Sequence, residues 1–175
     1  MLGGIFVPLN TRLTVHELRF QLEDSGTQLL LHTEQLAAAA ADAGDPLGVR
    51  RIVVHDPDDP NSLSGQRVTA IHEDQRGNLW IGTRQEGLNR IERSTGKAVH
   101  YRHDSNDAES LCSDRIWALQ SDRAGRLWVG TLGGVCVLDV EAGRFTRYNH
   151  DPDDPTSLAN DSVFAFYEDP TGAMW

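Results

Sequence analysis

No run of apolar residues comes near the roughly 20 needed to cross a bilayer; the longest lie at 29–31 and 36–41. Residues 1–10 carry no basic region ahead of an apolar stretch, so no secretory signal is expected. Basic residues are few: 16 Lys and Arg against 26 Asp and Glu, a formal net charge of -10. That balance leaves no basic stripe for nucleic acid and argues against contact with anionic membrane surfaces. Only two cysteines occur, Cys112 and Cys136, too few for a disulfide framework. They are expected to behave as small, partly buried hydrophobes.

Catalytic signatures are missing as well. There is no Gly-x-Ser-x-Gly, and Gly3-Gly4 is too short to cradle a nucleotide phosphate. His100 and His103 are three apart near a strand end, which points them to opposite faces, and no Cys or His group has zinc spacing. The acidic stretch from Asp56 fails as an EF-hand loop, because its fifth, sixth and twelfth positions are Pro60, Asn61 and Arg67. The chain is therefore not expected to be an enzyme, and no catalytic, cofactor-binding or metal residues are assigned.

What is present is a repeat, the first thing to look for in any chain. Trp80, Trp128 and Trp175 stand 48 and 47 residues apart, and their surroundings align. Asp74-Gln75-Arg76-Gly77-Asn78-Leu79-Trp80 matches Asp122-Arg123-Ala124-Gly125-Arg126-Leu127-Trp128, and again Asp169-Pro170-Thr171-Gly172-Ala173-Met174-Trp175. Two copies continue as Ile81-Gly82-Thr83 and Val129-Gly130-Thr131. Upstream, Ser62-Leu63 matches Ser110-Leu111 and Ser157-Leu158, and His55-Asp56-Pro57-Asp58-Asp59-Pro60 returns unchanged at 150–155.

Each unit reads as four short strands. The first covers 67–73. Asp74-x-x-Gly77 then turns the chain, Asp bonding nearby amides and Gly taking a positive φ. The others cover 79–83, 88–92 and 98–102, with a turn at 94–96; the second unit repeats them with 135–140, a turn at 141–143, and 145–148. Four antiparallel strands in 40–50 residues is the blade of a β-propeller. The recurrent Trp is expected to pack between blades, with the Asp-Pro stretch and Ser-Leu connecting one blade to the next.

The pattern Ser-Leu, apolar strand, Asp-x-x-Gly-x-Leu-Trp-Ile-Gly-Thr, then Gly-Leu resembles the two-component regulator propeller repeat over about residues 48–175. The resemblance implies the sensor region of hybrid two-component histidine kinases, propellers of seven blades that detect ligands, often oligosaccharides, outside the cell. It also implies a periplasmic or extracytoplasmic location, although this chain shows no export signal. Two complete units (55–102 and 103–149) and a partial one (150–175) are expected. Residues 49–55 could be the fourth strand of an earlier unit, since Gly48 aligns with Gly96. Uncovered sheet faces call for further blades or a partner chain.

Residues 1–54 do not repeat. A strand at 4–9, a helix opened by the capping box Thr14-Val15-His16-Glu17 and stopped at Gly26, a strand at 28–31, a helix at 34–41 capped by Thr33 and a strand at 49–54 read as a small α/β segment with a parallel sheet. Its wording, from Gly3-Gly4-Ile5-Phe6-Val7-Pro8 through Thr14 to Glu17-Leu18, is similar to a stretch of adenylate-forming enzymes of the acyl-CoA synthetase family, with Val15 where that family has Pro. The resemblance implies a piece of the large domain that carries no adenylation chemistry. The expected fold is thus mainly β, an incomplete propeller behind an α/β segment.

Three functions are compatible with this reading: a non-enzymatic sensing module, a fragment of an AMP-binding ligase fused to propeller repeats, and a propeller scaffold for protein partners. The expected ligand is an unidentified small molecule or oligosaccharide. Trp117 is the one ligand-facing candidate, because its aligned positions are Thr69 and Phe164 and so it does not recur as Trp.

Overall fold

The computed structural model describes residues 9–54, 58–92 and 97–175. The expected strand at 4–9, the turn at 94–96 and residues 55–57 of the first Asp-Pro stretch lie largely or wholly outside them. The chain is mainly β, with two antiparallel four-stranded sheets consistent with propeller blades and a small α/β segment ahead of them.

In the first blade, β3 (Val68–Glu73), β4 (Leu79–Thr83), β5 (Leu88–Ile91) and β6 (Ala98–Tyr101) pair in sequence order. In the second, β7 (Ile116–Ser121), β8 (Leu127–Thr131), β9 (Gly134–Asp139) and β10 (Arg144–Tyr148) do the same. The bounds agree with the sequence pattern to within about a residue, because β3, β4, β7, β8 and β9 end where an Asp or Gly turn takes over. Both first strands carry a register shift at the same place, between Val68 and Ala70 and between Ile116 and Ala118. β7 lies against β3 and β4, so the two sheets stack with their first strands adjacent.

Alternation along β4 joins the layers. Trp80 points into a core shared with the second blade, among Leu111, Ile116, Leu127, Val129 and Leu138. Its neighbour Ile81 points the other way, to a second core with Leu63, Ile91, Ile52 and Val54. Gly82 lets the sheets close: a Cβ there would sit 2.5 Å from Ile116 Cγ2.

The α/β segment supplies the second core. α1 (Val15–Asp24) begins with the expected capping box, Glu17 N–H donating to Thr14 Oγ1 and Thr14 N–H to Glu17 Oε2. β1 (Leu29–His32) and β2 (Arg50–Val53) pair in parallel. One expectation is corrected here and one open choice is settled. Thr33 makes no side-chain cap: the chain first makes a 3-10 turn, Glu34–Leu36, and the regular α2 (Ala37–Gly44) starts later on the alanine run. β2 is the last strand of the α/β segment rather than the outer strand of an earlier blade, because its partner is β1. The β1–β2 pair lies on the face of the first sheet turned away from the second blade, where a propeller would place a preceding blade.

Past β10, residues 161–175 run along the second blade. Val163 N–H donates to Thr131 O at 2.9 Å, and Tyr167 and Trp175 exchange backbone bonds at 2.9 and 2.8 Å, the opening of a third unit.

Candidate functional site

The sequence singled out the Asp-x-x-Gly-x-x-Trp segment, and the structure shows what it builds. Asp74 Oδ1 accepts from the Arg76 and Asn78 amides at 2.9 Å each, which fixes the turn. Its Oδ2 accepts from the Trp80 indole N–H at 2.8 Å. Asp122 repeats this with Trp128 at 2.9 Å and Asp169 with Trp175 at 3.0 Å. This Asp–Trp bond is the feature sequence reasoning missed, although the constant six-residue spacing was there to be read. Burial alone would push the Asp74 and Asp122 carboxyls up, but the indole, amide and, at Asp122, guanidinium donors outweigh it and hold both below the usual carboxylate range.

The same turn reaches the next blade. Gln75 donates to Asp122 O at 3.1 Å, and Arg123, its equivalent, donates to Asp169 O at 3.0 Å and Pro170 O at 2.9 Å. Arg76 pairs with Glu141 across the same gap. Lower on the joint, Ser121 N–H donates to His72 Nε2 at 3.1 Å, with Ser121 Oγ 2.8 Å from the same nitrogen. Burial pushes the His72 imidazole down, against the charges of Asp74 and Glu73. Thr69 Oγ1 donates to Ile116 O at 2.7 Å.

The Asp-rich connections are spent on their own turns. His103 Nδ1 donates to Leu111 O and His150 Nδ1 to Leu158 O, both at 2.7 Å. Asp104 and Asp151 donate their amides to Ser110 Oγ and Ser157 Oγ at 2.8 Å. Asp104, Asp107, Asp151 and Asp154 each cap an amide two residues on. The recurrent serines therefore have a structural cause, and no three His, Cys, Asp or Glu side chains gather as metal ligands among the described residues.

Trp117 sits at the register shift of β7, half-buried, its ring 5.6 Å from Phe164 at an edge-to-face 66°. Of the aligned positions, Trp117 and Phe164 meet, while Thr69 spends its hydroxyl on Gly82 O and Ile116 O. The Trp117 indole N–H is buried without an acceptor, and Phe164 is 61% exposed beside it. A cavity of about 760 Å³ lies elsewhere, between the α/β segment and the first blade, walled mainly by Leu18, Leu22, Leu29, Leu31 and Leu79.

The cysteines are not independent: Cys112 and Cys136 are buried and joined by a disulfide, with Cα atoms 5.8 Å apart.

This geometry frames the comparison with known proteins. Residues 62–85 and 110–133 match the two component regulator propeller family model. Each match starts at the recurrent Ser-Leu and runs through the Asp turn and the Trp strand, so it covers the inter-blade joint just described. A solved extracellular domain from B. thetaiotaomicron, described as that of a hybrid two component system, is similar at 24% identity and a TM-score of 0.58, over 65% of this chain and 16% of that one. A second domain from the same organism, with the same description, is similar at 25% identity and a TM-score of 0.57, over 72% of this chain and 18% of that one. The chain thus spans less than a fifth of either domain. No curated protein matches it. The family match does not reach residues 1–61, so the likeness of the first residues to adenylate-forming enzymes rests on their wording alone.

Proposed function

We propose that the chain is part of an extracytoplasmic propeller that senses a ligand for signal transduction, by binding and not by chemistry. The observation that carries this is the Asp–Trp bond of the inter-blade joint, which recurs in the two stretches matched by the two component regulator propeller model. The likeness to extracellular domains of two component systems supports the location. The Cys112–Cys136 disulfide supports it too, since such bonds persist in oxidising compartments.

The ligand-facing edge in this reading is the pair Trp117 and Phe164. The exposed Phe164 ring beside the half-buried Trp117 suits a sugar, whose C–H faces stack on aromatic rings. Titration calorimetry of the chain against an oligosaccharide panel tests this. One member should bind, and Trp117→Ala and Phe164→Ala should each weaken it about tenfold or more without moving the urea midpoint far. Binding unchanged in both variants would place the ligand elsewhere. Capture of a defined protein partner with no sugar bound would favour the scaffold reading.

A further inference from the structure

Positions 64 and 89 of the first blade correspond in the repeat to Cys112 and Cys136 of the second. Each pair ties the inter-blade connection to the third strand of its blade. In the first blade, Ser64 N–H donates to Asn89 Oδ1 at 2.8 Å, and the fully buried Asn89 donates to Ile81 O at 3.2 Å. In the second, Cys112 N–H donates to Cys136 Sγ at 2.7 Å and the sulfurs are bonded. A sulfur acceptor in the second blade stands where the first blade has an amide acceptor.

We propose that these are one clasp in two chemistries: Asn89 closes the first blade whatever the redox state, and the disulfide closes the second only where thiols are oxidised. Formation removes two protons and two electrons from the two thiols. They pass to the disulfide of an exchange partner, which leaves as its dithiol. Cys136 is fully buried and Cys112 9% exposed, so exchange requires the connection at 110–113 to lift away from β9. Arg147 holds that connection down, donating to Ser110 O at 3.0 Å and Leu111 O at 3.3 Å. The inference leans on the proposed location only for where the clasp is used; the geometry stands without it.

The test uses the whole chain, purified without reductant. Alkylation and mass spectrometry should find no free thiol in the native protein and two after reduction. Reduction should lower the urea midpoint by about 1 M or more, as expected for opening a loop of this length. Cys112→Ser with Cys136→Asn installs the first blade's pair, and should restore most of that midpoint and make it insensitive to reductant. Cys112→Ser with Cys136→Ala, which has neither clasp, should match the reduced protein. Free thiols in the unreduced chain, a midpoint indifferent to reductant, or a Ser–Asn variant no better than the Ser–Ala one would each overturn the proposal. None of these readouts involves a ligand, so they fail or succeed apart from the sensing reading.

Discussion

Replacing the turn aspartates one at a time separates what the turn contributes from what the indole contributes. Asp74 and Asp169 each hold two amides on one oxygen and an indole on the other, Asp122 one amide, the Arg126 guanidinium and an indole, and their tryptophans differ: Trp80 is fully buried, Trp128 half-buried and Trp175 75% exposed. Asp74→Ala strands the Trp80 N–H where no water reaches it, at about 1–3 kcal/mol for the lost partner, and the lost amide caps add about 1 kcal/mol. A total of about 3 kcal/mol, at a urea slope of about 2 kcal/mol per molar, lowers the midpoint by about 1.5 M. Asp122→Ala should cost about half as much, because water can reach part of the Trp128 ring. Asp169→Ala should lose only the amide caps and lower the midpoint by about 0.5 M at that slope. The series belongs at pH 7, well above the depressed carboxyl pKa values, where each carboxylate is ionised and its contribution is fully present. A Trp80→Phe background removes the N–H, and there the cost of Asp74→Ala should fall to about 1 kcal/mol by double-mutant cycle. Equal shifts at all three positions, or an unchanged cost in the Phe background, would refute the claim that the buried indole bond is the larger contribution.

The joint at His72 should respond to pH. Its imidazole is held below its ordinary value, so the fold favours the neutral ring. Its stabilisation is therefore complete above about pH 6.5 and is lost as pH falls through the folded pKa. His72→Gln borrows the residue that the second blade has at the aligned Gln120. The wild-type midpoint should fall relative to that variant between pH 7.5 and 5, and parallel curves would remove His72 as the cause. A third prediction uses only this chain's own sequence: a copy of residues 129–175 grafted after Trp175 completes the third unit. Trp128 should become fully buried, with a blue-shifted emission and a higher urea midpoint; an unchanged spectrum would mean that the third unit does not stack as the second does.

The blades were legible because their causes are local. Asp74 and Gly77 must turn the chain where they stand, and apolar alternation fixes which side of each strand is covered. The helix at Thr14 was legible for the same reason, its cap and its glutamate being three residues apart. The second helix was not: Thr33 looked like a cap, but its strand-ending conformation leads into a 3-10 turn, and the alanines carry the helix by propensity further on. The ambiguity of residues 49–55 had a physical basis, since a β-branched run suits either a parallel or an antiparallel neighbour, and only the partner β1 decided it. The disulfide was invisible for a different reason. Two cysteines 24 apart carry no signal by themselves; aligned on the repeat, they fall on Ser64 and Asn89, which touch.

The graded burial of the three indoles bears on how such a chain is stabilised. A blade buries one face against each neighbour, so stacking energy accrues at joints and not within sheets. At the first joint Trp80 is sealed by Leu111, Ile116 and Leu127. At the second, Trp128 meets Phe166 edge-on at 6.2 Å, stacks on the half-exposed Tyr148 and lies under the Arg126 guanidinium. At the last, Trp175 is 75% exposed and still keeps its bond to Asp169. The Asp–Trp bond therefore lies inside a single unit and does not depend on a covered indole, and it holds the ring in the orientation that a neighbouring blade covers at Trp80. Local turn chemistry sets the side chain and the neighbouring blade then buries it, which is why one short sequence motif can serve every joint in the array.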